Sequence, residues 1–418
     1  MRYAASAIVD VSVLREQPAF RLMWTGQLIS ELGRQVIVIA MPYEVYVRTR
    51  STLAVGLLAA VELVAVVGLS LPGGALADAL DRRRLLLLTQ LSLGLFTLLL
   101  VTSSLLPDSP LWWVYAAAFA ISAISAFDRP ARQAVLYSMV SRERLNSVAA
   151  LDQGSRQLAS VCGPVAGGLL IGGFGLAAGY GFAAVGFVWM SLTLMRLRHA
   201  ISAELAPLRR LKGVREGLSF VRQRPVILST MVMDFTANLF GFPSALFPVL
   251  AVSVFRVGAP GLGILAAAPA IGALVTSLFS RQLTSMRRKG LGVTGFYLLW
   301  GVAITLFGLA TFSFPLALGF LGAAGACDIA AAVLRASIVQ GNTPDAMRGR
   351  VSSINMLAVT AGPRLGDVEA TMVAAATSAG FSVVTGGLLC LLGTLLVARR
   401  SSPLLAYVDE PERPKRRL

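Results

Sequence analysis

The stretch Pro72–Leu86, PGGALADALDRRRLL, decides how the rest of the chain is read. It separates two long apolar runs, Leu53–Ala77 and Leu85–Leu106. Each is longer than the roughly 20 residues a helix needs to cross a bilayer. Gly73, Gly74, Ala75 and Ala77 let neighbouring helices approach closely. Asp78 marks the exit from the apolar layer, and Asp81, Arg82, Arg83 and Arg84 follow it. Short loops rich in arginine are retained on the cytoplasmic side, so this loop is expected there. The same residues also serve as a plain topology anchor, so the loop alone does not fix a function.

Composition extends the reading to the whole chain. Of 418 residues 56% are hydrophobic and only 14% charged, against about 25% charged in a soluble domain. An integral membrane protein follows. The net charge of +16 invites a nucleic-acid reading, but Arg and Lys fall in alternate loops and at the ends of apolar runs. That distribution fixes orientation in a membrane. Only Arg48, Arg50 and Arg256 lie in connections expected outside. Cys162, Cys327 and Cys390 each sit inside an apolar run, far apart, with neither metal-type nor disulfide-type spacing. The single histidine, His199, lies at the end of a span and excludes a histidine proton relay. The first 19 residues carry Arg2, Asp10, Arg15, Glu16 and Pro18 and do not read as a cleavable signal peptide. No phosphate-binding Gly-Lys loop, metal cluster or nucleophile–histidine pair points to an enzyme.

The expected architecture is all-α and membrane-integral, with twelve spans. They fall at about Phe20–Val47, Leu53–Ala77, Leu85–Leu106, Leu111–Val135, Ser147–Phe174, Leu176–Met195, Val226–Phe255, Gly261–Ser280, Leu291–Phe312, Pro315–Val339, Val351–Thr377 and Gly380–Ala398. The domains expected are a cytoplasmic segment (1–19), a six-helix bundle (20–195), a cytoplasmic linker (196–225), a second six-helix bundle (226–398) and a basic tail (399–418). An even number of spans places both termini in the cytoplasm.

Charged residues inside the spans are sorted. Spans 3, 6, 9 and 12 have none in their central stretches, and neither does span 8, whereas spans 1, 4, 5, 10 and 11 carry several and spans 2 and 7 carry Glu62 and Asp234. An ionisable group facing lipid costs several kcal/mol, so these groups face an interior or a water-filled cavity. The halves also echo each other. Asp128 in span 4 answers Asp328 in span 10, and Gly163-Pro164 in span 5 answers Gly362-Pro363 in span 11.

The loop Gly74-x-Leu76-Ala77-Asp78-x-x-Asp81-Arg82-Arg83 resembles the signature loop between helices 2 and 3 of major facilitator superfamily transporters. Ala79 stands where that family often has a basic residue, and Asp81 where it has glycine. The sorting of charges matches the nested three-helix repeats of that fold, which makes the two bundles pseudo-symmetric. Ala150-x8-Ala159-x3-Gly163-Pro164-x2-Gly167-Gly168 is similar to the fifth-helix motif of antiport-type, exporting members. Its structural reading is simply a groove of small residues for a neighbouring helix. Ala40-Met41-Pro42-Tyr43 and Thr343-Pro344-Asp345-Ala346-Met347 resemble the branch of enterobactin exporters and macrolide-efflux-like proteins.

The resemblance implies a proton-coupled exporter of a siderophore or amphipathic drug-like molecule, working by alternating access. It is expected in the bacterial cytoplasmic membrane, monomeric, with the proton gradient as its energy source and no cofactor, metal or nucleic acid. A lipid or lysolipid translocator of the same fold, or a non-transporting membrane receptor or assembly partner, is the alternative. Spans 1, 4, 7 and 10 line the cavity in that family. This makes Glu31, Arg34, Asp128, Asp234 and Asp328 cavity candidates, with Asn238 one turn beyond Asp234. Structural ion pairing between helices is the competing reading of each. Asp234 has no basic neighbour within a turn of its own helix and is the favoured proton carrier; Glu62 is similarly isolated. Arg132 is placed to pair with Asp78 and Asp128 and hold the cytoplasmic side closed. In span 11, Arg364 and Asp367 are spaced to pair, leaving Glu369 over.

Overall fold

The computed structural model describes residues 12–79, 81–106, 108–197 and 212–408, with backbone alone for 70–79, 130, 142, 212–215, 345–346 and 357. Among the described residues the chain is helical, without a strand. Long unbroken apolar runs suit this in an apolar solvent, because a helix satisfies its backbone N–H and C=O groups within one segment. The long helices are α1 (Pro18–Thr49), α2 (Thr52–Ala79), α3 (Arg82–Leu105), α4 (Trp112–Ser138), α5 (Leu145–Phe174), α6 (Leu176–Arg196), α7 (Pro225–Phe240), α8 (Gly258–Ser277), α9 (Lys289–Leu309), α10 (Phe314–Gly341), α11 (Asp345–Ala376) and α12 (Ala379–Arg400). A linker helix, Lys212–Arg222, precedes α7.

Among the described residues nine candidate spans are long and apolar enough to cross a membrane, α7 counting with its continuation to Val254. The other three expected spans, α1, α4 and α11, are helices of 32, 27 and 32 residues whose charged side chains lower their hydropathy. Span 7 departs from a simple helix. After Phe240 the chain bends through Gly241, Phe242 and Pro243, makes a 3-10 turn at Ser244–Leu246 and passes through a π-helical turn at Leu250–Val254. Asp367 of α11 stabilises this break by accepting from Ser244 Oγ (2.8 Å) and Ala245 N–H (2.8 Å). A carboxylate here replaces the hydrogen bonds the bent backbone has lost.

Two compact units emerge. The first is Met1–Arg210 with Phe247–Ala267, and the second is Leu211–Leu246 with Ala268–Leu418. Phe247–Ala267, expected in the second bundle, thus packs with the first unit. In the first unit α1 packs on α5 and α6, and α3 packs on α4 and α6. In the second, α7 packs on α11 and α12, and α9 packs on α10 and α12. The pairings therefore recur at an offset of six helices. Arg50 between α1 and α2 and Arg256 between α7 and α8 extend the correspondence. Both adopt left-handed backbone, with φ of 54° and 58°, and among the described residues they are the two non-glycine residues in that conformation. Helices α3, α6, α9 and α12 carry exposed apolar stripes, among them Leu91, Leu95 and Leu98, and Leu388, Leu392 and Leu395. At helical spacing these stripes form faces suited to lipid.

Small residues on α5 are set by contact. A Cβ on Gly163 would lie 2.5 Å from Gln35 Cβ, one on Gly168 would lie 2.6 Å from the Ala259 carbonyl, and one on Gly263 would lie 2.4 Å from the Pro164 carbonyl. Gly167 is packed against Val36 and Ile39 of α1. Gly154, on the same helix, has nothing within 4 Å of its missing Cβ. Helix propensity alone makes glycine-to-alanine favourable by about 1 kcal/mol, so the two positions are expected to differ in sign. Gly168→Ala should cost about 1–3 kcal/mol through backbone displacement, whereas Gly154→Ala should be neutral or stabilising. Thermal melting of the purified variants reads this directly, and equal melting temperatures would refute the packing argument.

Candidate functional site

In the first unit, α1 contributes Glu31 and Arg34 and α4 contributes Asp128 and Arg132, all buried. Spacings of three and four put each pair on one helix face. Arg34 Nη2 donates to Asp128 Oδ2 at 2.9 Å, and Arg34 Nη1 to Ser125 Oγ at 2.7 Å. Arg132 donates to the same Asp128 oxygen and, at 3.2 Å, to Glu31 Oε2. Arg34 Nε lies 3.4 Å from Glu31 Oε2. The other Asp128 oxygen accepts from Thr89 Oγ1 (2.9 Å) and Gln90 Nε2 (2.6 Å) of α3. Two guanidinium groups and two carboxylates thus form a neutral square. Beside it, Gln27 Nε2 donates at 2.5 Å to Asp152 of α5, which also holds Arg156. Ion pairs removed from water in this way are tolerated because every charge meets its opposite with hydrogen-bond geometry.

The second unit is built differently. Asp234 of α7 accepts from Arg335 Nη1 at 2.5 Å, Tyr297 OH at 2.9 Å and Asn238 Nδ2 at 3.2 Å. Arg335 also donates to Asn355 Oδ1 of α11 at 2.9 Å. Asp328 lies two turns before Arg335 on α10, within electrostatic range of both Asp234 and Arg335. Among the described residues it forms no ion pair or hydrogen bond. Two carboxylates thus lie in range of one guanidinium, which pairs with Asp234 alone.

Two buried charge networks, repeated in two similar units, fit a chain that moves solutes better than one that transforms them. Residues 11–414 match a major facilitator family described as transmembrane secretion effectors. The chain belongs to that family. It is a multi-pass membrane transporter and not an enzyme. Among its curated relatives, the enterobactin exporter EntS of Citrobacter koseri is 29% identical over 96% of this chain and 98% of its own length. EntS of Shigella boydii is also 29% identical, over 93% of this chain and 94% of its own. Among solved structures, a bacterial homolog to the human lysosomal transporter Spinster, inward-facing and occupied, superposes with a TM-score of 0.74 at 13% identity, covering 94% of this chain and 98% of that one. A bacterial homologue of the iron transporter ferroportin gives 0.67 at 17%, covering 93% and 99%. At these identities the structures establish the fold.

Within this secretion-effector member the sequence candidates have separate fates. Glu31, Arg34, Asp128 and Arg132 meet in one network, and Asp234 and Asn238 in the other. The expectation that Asp234 is unpaired is overturned. Its partner Arg335 comes from α10, a hundred residues away, where inspection of its own helix does not reach. Among the described residues Asp328 is without a partner instead. Asp81 is the N-cap of α3, accepting from the backbone N–H of Arg83 (2.9 Å) and Arg84 (3.1 Å). That role explains an aspartate where the family pattern has glycine. Arg83 donates to the Leu194 carbonyl at 2.8 Å and ties α3 to the end of α6. Arg82 starts α3 and is partly buried. Gly74 and Asp78 lie on α2 among residues whose side chains are outside the description, so the Asp78–Arg132 expectation does too, and His199 lies outside it altogether. Gly163, Pro164, Gly167 and Gly168 form the packed face of α5. Glu62 is buried on α2. Arg364 is 3.8 Å from Asp367, whose closer contacts cap the break in span 7, and Glu369 is half-buried with no partner among the described residues. The residues missed were Gln90, Asp152, Tyr297 and Arg335. Arg335 had a signal, being one of two charges on an apolar span.

Proposed function

We propose that the protein exports a siderophore-class molecule from the cytoplasm in exchange for protons, as a monomer in the bacterial cytoplasmic membrane. Its two halves alternate access, and both chain ends lie in the cytoplasm. The curated relatives named as enterobactin exporters support the substrate class. One observation carries the coupling. Asp234 and Asp328 both lie in electrostatic range of the single guanidinium of Arg335 in a membrane interior, and Asp234 alone pairs with it. With a proton on Asp328, the Asp234–Arg335 pair stands alone and the network is neutral. Without it, the network carries a net negative charge that an apolar surrounding disfavours. Gain and loss of that proton is a cheap way to make the energy of the second unit depend on the side to which Asp328 is open. A proton gradient then supplies the energy, and no cofactor is called for. Purified protein in inside-out proteoliposomes with an acidic lumen should accumulate enterobactin, and a protonophore should abolish the accumulation. Equal accumulation with and without the gradient would overturn the coupling. Failure to move enterobactin under either condition would overturn the substrate.

A further inference from the structure

The first unit has the opposite imbalance. Around its network stand four arginines, Arg34, Arg129, Arg132 and Arg156, and three carboxylates, Glu31, Asp128 and Asp152. Every carboxylate is matched, which leaves Arg129 over. It sits one residue after Asp128 and is exposed, and among the described residues it forms neither ion pair nor hydrogen bond. It nevertheless lies in a crowded place, within electrostatic range of Arg34, Glu31, Arg132 and Arg156. An exposed side chain with these charged groups in range stands at the edge of the network and is open to a ligand.

The helix face around it is polar as well. Ser122, Arg129 and Gln133 follow one another at spacings of seven and four, which makes a single stripe along α4. Arg129 and Gln133 are exposed, and a lipid-facing stripe would not be built of these residues. The large apolar exposed residues of α4, Trp112 and Phe119, lie in the first turns of the helix, away from Arg129 and Gln133 near its other end. On α5 the partly exposed Arg156 donates to the exposed Gln153 at 2.9 Å. Donor capacity is also in excess behind the stripe. Buried Nε–H of Arg132 has no acceptor, and Arg34 Nε has only the 3.4 Å contact with Glu31. Among the described residues, the surroundings of Arg129 are thus exposed, rich in N–H donors and one positive charge in surplus.

We infer that Arg129, with Arg156 beside it, is the anchoring site for an acidic group of the transported molecule. The group recognised is one with two adjacent oxygens, such as a catecholate, carboxylate or phosphate. A guanidinium offers two parallel N–H donors to such a pair, and the surplus charge is neutralised when it binds. The inference rests on the export reading above and narrows it. Substrates are acidic, and neutral molecules of equal size are poor ones.

The test uses the full chain in phosphatidylcholine nanodiscs and three probes: enterobactin, its hexa-O-methyl ether, which cannot ionise at the catechols, and sodium sulfate. Enterobactin affinity should fall about tenfold to hundredfold in Arg129→Gln. Arg129→Lys should fall in between, because it keeps the charge and loses the fork. The methyl ether should bind weakly to wild type and be indifferent to the substitution. Arg129 carries no ion pair, so both variants should melt as wild type does. Equal enterobactin affinity in wild type and Arg129→Gln would overturn the site, as would a methyl ether that binds as tightly as enterobactin. If wild type ignores enterobactin yet binds sulfate in an Arg129-dependent way, the siderophore reading fails and the acidic-group site stands. Binding of neither anion overturns it. If phosphatidylglycerol nanodiscs abolish all Arg129-dependent binding, the occupant is a lipid headgroup and the assignment to substrate falls.

Discussion

Asp128→Ala should leave almost no folded transporter in the membrane. Asp128 is fully buried and accepts from two guanidinium groups, a threonine hydroxyl and a glutamine amide. Its removal leaves Arg34 and Arg132 with Glu31 as their one carboxylate. The cost is dominated by the abandoned charge rather than by the lost attraction, and amounts to about 3–5 kcal/mol for a buried pair broken on one side. Stabilities of roughly 5–15 kcal/mol leave little after such a loss. Glu31→Gln should be milder, since both arginines keep Asp128 and Glu31 is nearer the surface. Detergent-extracted yield by fluorescence-detected size exclusion, with melting of whatever survives, orders the two. Wild-type yield and melting for Asp128→Ala would show that the square is dispensable and would return Asp128 to the list of transport groups.

The contrast between that square and the second network also shows what the sequence conveys and what it withholds. Apolar run length and loop arginines are local properties, so the helices and their order were legible. So was the sorting of charges among spans, because a charge in an apolar run is conspicuous whatever it touches. Pairing is not local. Asp234 looks isolated on α7 because its cation is on α10, and nothing in either helix names the other. Asp81 looks like a departure from a loop pattern because a cap is defined by the N–H groups that follow it. The break in span 7 had a visible cause in Gly241-Phe242-Pro243, yet its cap lies on α11. Arg129 was the reverse case. It follows Asp128 in the chain, but adjacent helix positions do not face each other, and only the geometry gives Asp128 to Arg34 and Arg132 and leaves Arg129 over.

Asp328→Asn should sever transport from the proton gradient while keeping the protein folded. Asparagine has nearly the shape of a protonated aspartate, so it holds the second network in its neutral form with the Asp234–Arg335 pair intact. Asp328 makes no hydrogen bond or ion pair among the described residues, so the substitution orphans no partner. The energetic consequence can be bounded. A difference of two pH units is worth about 2.7 kcal/mol for each proton moved, and so supports up to about a hundredfold accumulation for one proton per substrate. In Asp328→Asn the accumulation ratio should fall to about one. Exchange of labelled for unlabelled enterobactin at equal pH should continue, because alternation of a neutral network needs no proton. Asp234→Asn is expected to behave otherwise. It takes the negative partner from a buried Arg335 and removes an acceptor of Tyr297, so it should lower the melting temperature and impair exchange as well as accumulation. The two variants side by side therefore separate a proton carrier from a structural ion. Undiminished gradient-driven accumulation in Asp328→Asn would shift the coupling role to the half-buried Glu369 of α11.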